Sequence, residues 1–67
     1  MELLTIDECA ALLKVKPRTV YEMTSARGRA RAEHPLPVVR LNAKCLRFRR
    51  EDVEKWIEMM VEREHRP

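Results

Sequence analysis

Sixty-seven residues suffice for one domain, because a chain this short buries only about 60% of its unfolded surface and leaves no room for a separate substrate domain. With 45% apolar and 37% charged residues, 4 Pro and 1 Gly, the composition excludes a disordered segment and predicts a compact, helix-rich fold. The net charge of +3 is modest but segregated: residues 1–13 sum to −3, residues 14–50 carry eleven Lys/Arg against Glu22 and Glu33 for +9, and residues 51–67 return to −3. Solvated surfaces ordinarily mix their signs, so a basic middle between acidic ends suggests a face for a polyanion, with a charged loop as the plainer alternative.

The opening MELLTIDECA has no basic n-region and no long apolar run, which predicts no secretion signal, no membrane span and a cytoplasmic protein. Thr5-Ile6-Asp7-Glu8 fits a capping box, so a helix is expected over 6–13, with Ile6, Cys9, Ala10 and Leu13 forming one apolar stripe. Pro17 lacks a backbone N–H and disfavours helical geometry at Lys16, so the chain turns near Lys14-Val15-Lys16 and a second helix runs over 17–26. At 100° per residue this helix turns Pro17, Val20, Met23 and Thr24 to one side and Arg18, Glu22 and Ser25 to the other, with Thr19 and Tyr21 on the flanks. Arg18 and Glu22 are either a surface i,i+4 pair worth a few tenths of a kcal/mol or a reading edge.

Residues 27–37 read as a basic loop, with Gly28, two prolines and Arg27, Arg29 and Arg31 at alternate positions. A β-hairpin is predicted over 38–48, turning at Ala43-Lys44 and pairing Leu41 with Leu46, Arg40 with Arg47 and Val39 with Phe48. That register collects Val39, Leu41, Leu46 and Phe48 on one face. It opposes two arginines on the other, a conflict relieved by a phosphate or by splaying in water. A last helix over 50–64 starts with Glu51 and Asp52 in its positive first turn and carries the stripe Val53, Trp56, Ile57 and Met60, leaving Met59 and Val61 off it.

Cys9 and Cys45 read as reduced, small core or near-surface residues; with no His at ligand spacing they make no four-ligand zinc site, so no metal or cofactor is expected. His34 in the loop and His65 near the C-terminus have no catalytic companion. No nucleophile, base and anion-binding group converge, so neither an enzyme nor a small-molecule site is expected.

Helix, tight turn, helix, basic hairpin and covering helix make the layout of a winged helix-turn-helix: one domain, 1–67, mainly α with a two-stranded wing, built to read duplex DNA. The stretches LLTIDECAALLKVKPRTVYEM, LPVVRL and LRFRREDVEKWIE resemble the excisionase-type winged helix-turn-helix domains, relatives of the DNA-binding part of MerR regulators and of AlpA-like phage regulators, over residues 3–58. The resemblance implies that Ala10 lets the first two helices approach, that Val15 and Val20 lock the turn to the core, that Arg18, Thr19 and Glu22 are the outward positions of the recognition helix, and that Asn42, Ala43 and Lys44 form the wing tip. Two departures stand out. Lys14 occupies the turn position usually held by Gly, and TSARGRARAEHPLP is longer than expected, making Arg27, Arg29 and Arg31 an extra phosphate clamp or a flexible loop.

On this reading Arg18 pairs with guanine, Thr19 meets a base or a thymine methyl, and Glu22 accepts from cytosine N4 or orients Arg18. Lys16, Arg27, Arg29, Arg31, Arg40, Lys44, Arg47 and Arg49 are the expected phosphate contacts. The resemblance implies two roles, recombination directionality in phage or mobile-element excision and transcriptional control of a small operon, each needing neighbouring copies or a dimer on DNA. A different class is a protein-interaction module that docks a recombinase or other partner through the C-terminal helix, with Met59 and Val61 exposed.

Overall fold

The computed structural model describes residues 1–64, so His65 lies outside the described residues. Along the chain come β1 (Leu3–Leu4), α1 (Ile6–Leu13), α2 (Pro17–Thr24), α3 (Ala26–Arg31), β2 (Val39–Asn42), β3 (Cys45–Arg49) and α4 (Arg50–Glu64). This is a mainly helical fold with a small antiparallel sheet and a wing, consistent with a winged helix-turn-helix.

The capping box starts α1. Thr5 Oγ1 accepts from the Glu8 N–H at 3.1 Å while the Glu8 carboxylate accepts from the Thr5 N–H at 2.9 Å. Those bonds hold the Glu8 carboxyl below its ordinary pKa. The helix ends at Lys14, whose φ of 59° and ψ of 42° are left-handed, so the turn keeps its usual shape and strains a side-chain-bearing residue to do it. Val20 is fully buried, but Val15 is 40% exposed, which corrects the expected apolar lock at that position. Val15 holds the turn through its backbone, donating to the Ala10 carbonyl at 2.9 Å.

Two expectations for the middle of the chain are corrected. The second helix stops at Thr24, not residue 26, and α3 (Ala26–Arg31) takes in residues 27–31 of the expected loop. Ser25 causes both: its extended backbone breaks α2, and its hydroxyl accepts from the Gly28 N–H at 3.1 Å, capping α3, while donating to the Glu22 carbonyl at 2.8 Å. Gly28 is required at this corner, because a Cβ there would fall 2.1 Å from the Glu22 carbonyl oxygen.

The sheet has a third strand that the sequence pattern did not suggest, in the order β1-β3-β2. Leu3 pairs with Arg49 and Leu4 with Phe48, and Leu4 is buried. The wing register is also corrected. Asn42 faces Cys45 across the Ala43-Lys44 turn as expected, but a bulge between Arg40 and Asn42 then shifts the pairing to Arg40 with Leu46 and Val39 with Arg47. A bulge leaves one residue unpaired and turns it outward; here Leu41 is 56% exposed and joins no apolar face. The predicted Arg40–Arg47 opposition does not exist.

The core is Leu4, Cys9, Ala10, Val20, Leu36, Phe48 and Val53, with Ile6, Leu13, Met23, Trp56 and Ile57 packed against it. Trp56 Nε1 donates to the His34 carbonyl at 2.9 Å and so pins the 32–38 connection to α4. Burial pushes the Cys9 thiol up to about 11, whereas Cys45 is half-buried on the wing; both are free thiols. No described helix is long and apolar enough to cross a membrane, and among the described residues no three His, Cys, Asp or Glu are grouped to hold a metal.

Candidate nucleic-acid interface

Helix α2 buries Val20 and Thr24, packs Met23 against the core and turns Arg18, Thr19, Tyr21 and Glu22 to solvent. Pro17 occupies its first turn and no acid lies there, so the positive end of the helix is uncompensated. Arg18 and Glu22 project outward with side chains 87% and 64% exposed, the Arg18 Nε donating to the Glu22 carboxylate at 3.3 Å. An ion pair this exposed adds little stability. It does hold a guanidinium and a carboxylate side by side at the crest of the helix, a donor set and an acceptor set facing outward.

The fold places a groove on each flank of that crest. On one side the wing approaches α2 across a cleft of about 220 Å³ lined by Tyr21, Ser25, Arg40, Lys44 and Leu46. On the other side α3 forms a groove of about 480 Å³ with Thr19, Glu22, Met23, Arg27 and Arg31. Residues 27–31 and 40–44 therefore meet α2 from opposite sides although they are adjacent in neither sequence nor space. Lys16 lies exposed at the N-terminal end of the helix. Asn42 shapes the wing tip by accepting from the Lys44 N–H at 2.9 Å, an Asx turn that leaves Ala43 and Lys44 outermost.

The eight residues expected to contact phosphate divide into two sets. Among the described residues, the side chains of Lys16, Arg27, Arg31 and Lys44 engage no hydrogen-bond or ion-pair partner and are exposed. Four others are used within the fold. Arg29 donates to the Leu36 carbonyl at 2.9 Å and Arg40 to the Thr24 carbonyl at 2.7 Å, where it caps the negative end of α2. Arg47 is half-buried and donates to the Leu46 carbonyl, while Arg49 lies against Glu51 and Asp52 at 3.4 and 3.6 Å in the first turn of α4. Thus Arg40 and Arg29 position the two flanks, and Arg47 and Arg49 turn toward the protein's own groups.

Sequence reasoning missed α3 as an element and Tyr21 as a feature of the cleft. The signal for α3 was Ser25 three residues before Gly28, a capping arrangement outweighed in the pattern by the glycine itself.

The model of the helix-turn-helix domain family matches residues 3–60, which spans β1 to most of α4. No curated protein and no solved structure matches the chain. The matched span contains the capped α1, the left-handed turn at Lys14, α2 and both flanking grooves, and the family supports DNA as a partner of the domain. The chain belongs to the helix-turn-helix domain family.

Proposed function

We propose that the chain binds duplex DNA sequence-specifically, with α2 in the major groove, and serves as an excisionase-type recombination directionality factor or a small transcriptional regulator. The observation that carries this reading is the exposed Arg18–Glu22 crest between two cationic flanks. A major groove is bordered by two phosphate backbones, about 12 Å apart, and presents base edges between them. A reader of that groove needs donors and acceptors at its centre and cations on either side, which is the order Lys44, Arg18–Glu22, Arg27–Arg31 across this surface. Arg18 would pair with guanine, Glu22 would hold it in place, and Thr19, on the α3 side, would meet a base or thymine methyl. Lys16, Arg27, Arg31 and Lys44 supply the phosphate contacts, with the remaining donors of Arg29, Arg40, Arg47 and Arg49 as lesser ones.

The test is fluorescence anisotropy with a labelled random-sequence duplex over several salt concentrations. Counterion release makes log K fall linearly with log salt by about 0.9 per phosphate contacted, so a slope corresponding to about four contacts is expected. Against a selected site, Arg18→Ala is expected to cost about 1–3 kcal/mol and relax one position, while Lys44→Ala weakens all sequences alike. Equal losses by both variants on cognate and random DNA would remove Arg18 from base reading. Closely spaced direct repeats in the selected site favour excision, and a two-fold symmetric site favours transcriptional control.

The second reading, a module that docks a recombinase through α4, draws on the exposure of Met60 and Val61, at 39% and 49%. Met59, expected to be exposed with Val61, is half-buried. Substitution of Met60 and Val61 by Ala that preserves DNA binding and abolishes function in the cell would favour this reading.

A further inference from the structure

Tyr21 is the one aromatic side chain on α2 and is 61% exposed, although nothing in the folding of the helix requires a large ring in solvent there. Its flank is the wing side. It lines the 220 Å³ cleft together with Lys44, and Ile6, Thr24, Ser25, Arg40, Ala43 and Leu46 make up the rest of the walls. Arg40 directs one N–H to the Thr24 carbonyl and keeps its charge and other donors, while the Ser25 hydroxyl donates to the Glu22 carbonyl and is committed to the protein. The groups left to meet a ligand are the Tyr21 hydroxyl and the Lys44 ammonium, with the Arg40 guanidinium adding positive charge at the wall. No carboxylate lines this cleft, whereas the groove on the α3 side includes Glu22. A cleft with a cation, a hydroxyl donor and no acid selects an anion.

We infer that this cleft seats one backbone phosphate of the bound duplex, with the Tyr21 hydroxyl donating to one of its non-bridging oxygens and the Lys44 ammonium balancing its charge. The inference rests on the DNA-binding reading and adds a contact to it: Tyr21 is a positioning residue that sets the depth and rotation of α2 in the groove, so that Arg18 reaches the base edges in register. It also explains why Arg40 is tied to Thr24. That bond ties the wing to the C-terminal end of α2, which holds the two walls of the cleft together.

The experiment is a salt titration of the full chain against a labelled duplex for wild type, Tyr21→Phe, Lys44→Ala and the double variant, with melting curves confirming that each is folded. Tyr21 is exposed and Phe keeps the ring, so Tyr21→Phe removes only the hydroxyl. Tyr21→Phe is expected to weaken binding about three- to tenfold at every salt concentration with an unchanged slope, because a neutral donor releases no counterion. Lys44→Ala is expected to reduce the slope by about one. The double variant is expected to lose less than the product of the two single losses, as two groups on one phosphate must. Wild-type affinity in Tyr21→Phe, or losses that multiply independently, would overturn the shared phosphate while leaving DNA binding intact. Failure of the wild type to bind at low salt would instead overturn the underlying reading, and the wild-type arm alone distinguishes that case.

Discussion

Replacing Gly28 with Ala adds a single methyl group, and its consequences can be worked from the corner between α2 and α3. By helix propensity alone the change should stabilise α3 by about 1 kcal/mol. The geometry opposes this: the new Cβ would lie 2.1 Å from the Glu22 carbonyl oxygen, a backbone atom, and 3.2 Å from Ser25 Oγ. That carbonyl cannot swing aside freely because it accepts from both the Ser25 N–H and the Ser25 hydroxyl. Relief therefore requires α3 to move off α2, breaking the Ser25 cap on Gly28 and straining the Arg29 bond to Leu36. A lost cap costs about 1 kcal/mol and the Arg29 hydrogen bond about 0.5–1.5 kcal/mol, so after the propensity gain of about 1 kcal/mol the net expectation is a loss of about 0.5–1.5 kcal/mol. Urea denaturation measures it, with Ala30→Gly, at an exposed position of the same helix, as the comparison for propensity alone. Displacing α3 also moves Arg27 and Arg31 from the flank of α2, so affinity for random-sequence duplex should fall with stability. A Gly28→Ala variant as stable as wild type, or more so, would refute the close packing of α3 on α2.

Trp56→Phe is expected to destabilise by about 1–2 kcal/mol, since it removes the bond to the His34 carbonyl and part of the ring that pins the 32–38 connection; thermal melting checks it. Lys14→Gly should stabilise by about 0.5–1 kcal/mol by relieving the left-handed backbone, whereas Lys14→Ala should not, a contrast measurable in parallel urea titrations. The Glu8 carboxyl is lowered from 4.5 first by its bond to the Thr5 N–H, and that of Glu33 from 4.5 first by its bond to Arg63. A carboxylate with a depressed folded pKa stabilises above its unfolded value and loses that contribution as pH falls through the folded one. The melting temperature should therefore hold from neutral pH to about 4.5 and fall below it, and the Glu8→Gln, Glu33→Gln double variant should start lower and fall less steeply.

Local signals carried much of this protein. The Thr5–Glu8 box, the Pro17 restart, the i,i+4 placement of Arg18 and Glu22 and the stripe through Val53 and Trp56 depend on neighbours within one or two helical turns, so the sequence alone determined α1, the start of α2, the outward crest and α4. The reversal near Lys14 was legible for the same reason, from the Pro17 restart, but the left-handed backbone that makes it was decided by the structure. Tertiary structure decided the rest. Leu3 and Leu4 are too short a pair to signal a strand, and become one only because β3 offers them an edge at Arg49 and Phe48, far along the chain. The wing register turned on a bulge at Leu41, which local pairing rules place no better than its unbulged alternative. The roles of the arginines turned on distance as well: Arg29 and Arg40 look like Arg27 and Arg31 in the sequence, and differ because a carbonyl at Leu36 or Thr24 lies within reach of one pair and not the other. Charge is written in the sequence, but whether it faces a ligand or the protein's own backbone is settled by what the fold brings within 3 Å of it.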